Sequence, residues 1–279
     1  MNLTKENNFN NYLNNNNQID VKNHFRKITQ LTILVSLILV PLLFAKRESF
    51  DYLIIRISVI LVLTISFTIV MIRNIKYIGY IIHRDKINLF LLTYFILLLC
   101  SLPFSGDFAL SIFGRPKRFE GLITITLYLY LFVIARICPK LSNKHWMLII
   151  STGLLVSLYG IVQFYGFYPL TEDVIRNFGG RPFSTMANPN FLGTYLVLIL
   201  PISVYLYIMI NSNYGLISFG ILFYCLLCTN TRSAWLGAMA TLGTFISIHY
   251  KIYRINKEQK KRYFILLITA YAGDILLSL

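Results

Sequence analysis

Nine apolar runs alternate with short polar connections along this 279-residue chain, at 28–45, 53–72, 87–104, 121–138, 146–168, 190–210, 214–229, 233–250 and 263–279. About 20 apolar residues in helical form cross a bilayer core, so each run predicts a transmembrane helix and the fold class is all-α, polytopic, with about nine spans. A hydrophobic fraction of 56% and a mean hydropathy of +0.64 agree, because so much apolar surface cannot be hidden in one soluble core. The seventh and eighth runs are short, and the polar turn Thr229-Asn230-Thr231-Arg232-Ser233 separates them. A tight hairpin or a re-entrant pair is expected there.

Residues 1–27 form an asparagine-rich polar segment without the apolar stretch of a signal peptide, which predicts a disordered cytoplasmic tail. The membrane domain is then 28–279. Net charge is +15, from 26 Lys and Arg against 11 Asp and Glu. These charges sit in short loops between apolar runs, so topology and anionic lipid headgroups explain them and no nucleic-acid partner is expected. With the N-terminus inside, 17 of the 26 basic residues fall on the cytoplasmic side and 9 outside. Positive-inside bias therefore favours a cytoplasmic N-terminus.

That orientation collects the most polar connections on the outer face: the 105–120 loop, the 169–189 passage and the 229–233 turn. Arginines there run against the topology rule, so Arg115, Arg118, Arg181 and Arg232 are either solvated charges or a set converging on an anion. Guanidinium suits the second role, since its planar fork of donors binds phosphate bidentately and stays charged at any working pH. Gly114-Arg115-Pro116 and Gly180-Arg181-Pro182 repeat one tripeptide shortly before a helix. Within 179–195, Asn188 can cap a helix that Pro189 begins, and the partial positive charge of that N-terminus also suits an anion. Capping accounts for Asn188 and Pro189; it does not explain Arg181, Ser184 and Thr185 arriving beside them, with Asn190 in the same stretch.

Within the apolar runs, Gln163 either bonds a neighbouring helix or faces a polar cavity. Pro41 and Pro201 are expected to kink their helices, and Arg56 lies close enough to a span end to snorkel. Cys100, Cys138, Cys225 and Cys228 read as small buried hydrophobes. All four histidines, His24, His83, His145 and His249, fall on the inner side. No metal-ligand spacing, nucleotide-binding glycine pattern or serine-nucleophile elbow is present, so neither metal nor cofactor is expected.

In their order along the chain, FGRPKRFEGLITITLYLYLF (113–132), YGIVQFYGFYP (159–169), GRPFSTMANPNFLGTYLVLILPI (180–202) and TNTRSAWLGAMATLG (229–243) resemble the O-antigen ligase and O-antigen polymerase superfamily of bacterial membrane glycosyltransferases. The resemblance covers roughly 85–250. It implies metal-independent transfer of a glycan from an undecaprenyl-diphosphate carrier to an acceptor sugar, lipid or protein hydroxyl, at the outer face of the cytoplasmic membrane. By that resemblance Arg118, Arg181 and Arg232, with Arg115 less closely matched, hold the diphosphate. Ser184, Thr185, Asn188, Pro189 and Asn190 shape the site beside it. Family members are usually longer, with a large outer loop carrying a histidine thought to act as base. This chain stops at Leu279, which predicts a C-terminally truncated member or an N-terminal fragment without that base and inactive alone.

Two other classes fit parts of the pattern. A transporter or flippase for lipid-linked sugars would also touch phosphate with outer arginines, but polarity near the midplane and interrupted helices would be expected of it. A non-catalytic membrane scaffold is the third.

Overall fold

The computed structural model describes residues 26–43, 49–73, 86–115, 119–168, 178–252 and 256–278, and among them every regular element is helical. Helix α1 covers 26–42. It is followed by α2 (Ser49–Arg73), α3 (Lys86–Ser101, extended by a 3-10 turn to Phe104), α4 (Phe108–Phe113), α5 (Leu122–Ile137) and α6 (Asn143–Phe164). Then come α7 (Pro189–Met209), α8 (Asn213–Cys228), α9 (Arg232–Ile252) and α10 (Lys257–Ser278). A helix therefore stands at each apolar run. Three are long and apolar enough to cross a membrane, the 19 residues Lys86–Phe104, the 22 of α6 and the 21 of α7. Shorter apolar helices lie at Ile55–Ile69, Leu122–Ile137 and Asn213–Cys228.

The asparagine-rich tail falls outside the described residues except for Arg26 and Lys27, which open α1. Sequence reasoning did not anticipate α4, a short helix that Asp107 caps by accepting the Leu110 N–H at 3.0 Å. Pro41 stands in the last turn of α1. By contrast α7 continues through Pro201.

The chain divides into two compact units, one with the residues up to Ser36 and Ile57–Lys140, the other with Leu37–Arg56 and Leu141–Leu279. In the first, Phe67 and Ile134 are buried together with Ile28, Ile33 and Leu131 packed against them. Thr68 and Tyr130 share a hydroxyl hydrogen bond of 2.8 Å, and Arg136 donates to Asn88. Helix α3 in the same unit buries none of its residues, and Phe90 on it is 72% exposed. An apolar helix with no fully buried residue is stabilised by hydrocarbon around it, which is what a bilayer supplies.

The second unit is built around α7 and α8, which pack along each other. Helices α6 and α10 lie on α8, and α9 lies on α7. Small residues set these distances. A Cβ on Gly153 of α6 would stand 3.1 Å from Ile199 and 3.4 Å from Leu222, and one on Gly160 would stand 3.0 Å from the Cys225 sulfur. Close backbone approach through glycine is how membrane helices gain packing without a hydrophobic drive between them. Cys225 and Cys228 are buried as expected, whereas Cys100 is exposed. Of the hairpin and the re-entrant pair expected here, a closely packed hairpin is not formed: after the three-residue turn Thr229–Thr231, α9 runs along α7 and meets α8 little.

Candidate functional site

The 178–188 passage folds inward, held by a backbone that few residues adopt. Gly179 and Gly180 have φ of +59° and +78° with open space where a Cβ would be, so glycine is needed there for conformation and not for room. Ser184 and Ala187 also take positive φ, at 51° and 62°, without being glycine, a strained choice that surrounding bonds must enforce.

Those bonds come from buried side chains. Gln163, fully buried near the end of α6, accepts the backbone N–H groups of Phe183 and Ser184 at 3.2 and 2.6 Å. The 178–188 passage is thus a partner of this side chain. The Ser184 hydroxyl donates to the Val156 carbonyl at 2.6 Å, and the Thr185 hydroxyl donates to the Pro41 carbonyl at 2.6 Å. Both side chains are buried, so they shape the passage from within and present nothing to a ligand.

Arg56 is the residue that sequence reasoning placed wrongly, as a snorkelling charge. Its Nη2 donates to the Thr185 carbonyl at 2.6 Å and to the Leu43 carbonyl at 3.1 Å, while Nη1 lies 3.3 Å from the Met186 sulfur. The last carbonyls of α1 have no partner inside the helix. Thr185 and Arg56 together supply partners for Pro41 and for Leu43 just beyond it. The signal was a basic residue within an apolar run, a position that requires a buried acceptor.

At the outer edge of the same passage, Arg181 joins three segments. Its Nε donates to the Thr229 carbonyl at 2.8 Å, and its Nη2 donates to the Thr231 hydroxyl at 2.8 Å and to Asn190 Oδ1 at 3.1 Å. Asn188 caps α7 as expected, accepting the Asn190 N–H at 2.8 Å, and Pro189 is the first helical residue. Thr231 immediately precedes α9, and its hydroxyl approaches the Pro189 carbonyl at 3.5 Å. The N-termini of α7 and α9 therefore meet, with Arg181 bridging them. Gly193 allows the approach: a Cβ there would be 2.9 Å from the Ala234 Cβ and 3.4 Å from the Thr231 Cβ.

Arg232, the first residue of α9, is exposed and makes no hydrogen bond or ion pair with other described residues. It is the cation at this junction left available to something outside the protein. Asn190 is exposed beside it. Two helix N-termini add partial positive charge to the same place. The arrangement can hold an anion, with Arg181 as frame and Arg232 as free donor.

Arg115 belongs to the first unit. It is exposed and lines an open pocket of about 410 Å³ with Ser105, Asp107 and Glu120. Arg118 lies outside the described residues. His145 opens α6 and His249 closes α9, at the ends of those helices away from the junction, while His24 and His83 are not among the described residues. No three His, Cys, Asp or Glu side chains come together as a metal site among the described residues. No protein family, curated protein or solved structure matches this chain.

Proposed function

We propose that this chain is a polytopic membrane protein of about nine spans with a cytoplasmic N-terminus, related in mechanism to the O-antigen ligases and polymerases. In this reading the Arg181 and Arg232 junction, at the outer face of a bacterial cytoplasmic membrane, receives the diphosphate of an undecaprenyl-linked glycan. The observation that carries the reading is the meeting of two helix N-termini around Arg181 with an unengaged arginine beside them. Arg232 is exposed at the start of α9, beside two helix N-termini whose partial positive charge favours an anion, and a phosphate there would meet both.

During glycan transfer, negative charge builds on the departing diphosphate. Arg232 would bind that charge directly, and the helix ends would stabilise it without reorganising. Arg181 would keep both helix ends and Asn190 in place, acting through position. Arg115 and Arg118 join as expectations of the resemblance. The acceptor is a hydroxyl on a glycan, lipid or protein, and its general base is assigned to none of the residues at the junction.

The test is binding of undecaprenyl diphosphate and of undecaprenol to the full chain in detergent, followed by native mass spectrometry. Retention of the diphosphate but not of the alcohol is expected. Equal retention of both would remove the phosphate from the account.

A further inference from the structure

Toward the end of the second unit away from Arg181 and Arg232, a groove of about 680 Å³ opens between α8, α9 and α10. Its walls are almost wholly apolar, with Phe219 and Phe223 from α8, Met239 and Ile246 from α9, and Phe264 from α10. The volume is that of a site for a lipid chain or other small ligand. One charged side chain, Lys260, stands on its rim.

Lys260 belongs to a strongly basic stretch. Lys251, Lys257, Lys260 and Lys261 are exposed around the α9–α10 connection, and Glu258 is the one carboxylate between 251 and 262. Glu258 lies 4.0 Å from Arg262, whose guanidinium also donates to the Tyr207 carbonyl at 2.7 Å and stacks 5.4 Å above the Tyr207 ring. One carboxylate thus stands among four exposed lysines, and the stretch keeps a strong positive charge.

We propose that this groove binds an anionic phospholipid, with an acyl chain against the apolar walls and the phosphate on the Lys260 ammonium. Ordinary surrounding lipid would account for the apolar walls alone. The cation on the rim adds a preference for headgroup charge, since juxtamembrane lysines attract anionic lipid and a compact ammonium pairs readily with phosphate. The carrier diphosphate proposed above belongs at the opposite helix ends, so the two sites take different lipids and either can fail alone.

Gly243 supplies a clean probe. It lines the groove, and a Cβ there would meet nothing within 4 Å. Gly243→Leu therefore starts its side chain in open space, adds apolar volume to the groove wall and improves helix propensity. The experiment is native mass spectrometry of the full chain with phosphatidylglycerol and with phosphatidylcholine of the same acyl chains, for wild type, Lys260→Gln, Gly243→Leu and Lys144→Gln. Wild type should retain phosphatidylglycerol over phosphatidylcholine by about fivefold, the worth of one lysine near an anionic surface. Lys260→Gln should erase that preference, Gly243→Leu should release both lipids, and Lys144→Gln, on α6, which lines no part of the groove, should change neither. Equal retention of the two lipids by wild type, unchanged retention in Gly243→Leu, or an equal loss in Lys144→Gln would each overturn the proposal.

Discussion

Gln163 Oε1 accepts the backbone N–H of Ser184 at 2.6 Å, across a gap of 21 residues. That bond places the buried middle of the 178–188 passage against the end of α6. From there the passage reaches Pro41 and Arg56 on one side and the starts of α7 and α9 on the other. A loop tied at so many backbone groups is a rigid support for whatever its edge binds.

Gln163→Leu should be strongly destabilising. The substitution leaves the Phe183 and Ser184 N–H groups buried without an acceptor, at about 1–3 kcal/mol each. A fall of several degrees in the unfolding midpoint of the detergent-solubilised chain is expected. An unchanged midpoint would mean that the loop finds other partners.

Arg181 and Thr231 should be energetically coupled. Their 2.8 Å bond joins the passage to the turn before α9. In a double-mutant cycle with Arg181→Gln and Thr231→Val, a coupling of about 0.5–3 kcal/mol is expected from residues in one hydrogen-bond network. Additive effects would show that the bond is not maintained in solution.

Gly193→Val should separate the two helix starts. Its Cβ alone would press to 2.9 Å on Ala234, and a branched side chain adds to that. The distance between spin labels on α7 and α9 should lengthen, and affinity for undecaprenyl diphosphate should fall with it. If the label distance stays unchanged, the glycine is not setting the approach.

Arg56→Ala should loosen the passage from within. It removes the donor to both the Thr185 and Leu43 carbonyls. Faster hydrogen exchange at 183–187 is expected, with Arg56→Lys restoring only part of the protection because lysine lacks the planar fork. Wild-type exchange in Arg56→Ala would contradict the contact.

Helix positions were legible from the sequence because long apolar runs leave the backbone of a membrane protein little choice. The Asn188-Pro189 start was legible too, since capping depends on neighbours in the chain. What the sequence hid was long-range. The Thr185 hydroxyl meets a carbonyl 144 residues away, and nothing local distinguishes such a threonine from one facing a ligand. Arg56 was hidden for the same reason. Its acceptors are backbone carbonyls, which every residue carries. The division of labour between Arg181 and Arg232 was also invisible, because both are arginines at loop edges and only their partners set them apart.

That division gives the most direct measurement of the central claim, which is that Arg232 is the free anion donor at the junction of α7 and α9. Undecaprenyl diphosphate affinity and unfolding midpoint are to be measured for wild type and Arg232→Gln in the full chain. Loss of a charge-assisted bond worth about 1.5–3 kcal/mol predicts affinity weaker by roughly tenfold to a hundredfold, with the midpoint unchanged because Arg232 bonds no other described residue. Unaltered affinity in Arg232→Gln would contradict the account.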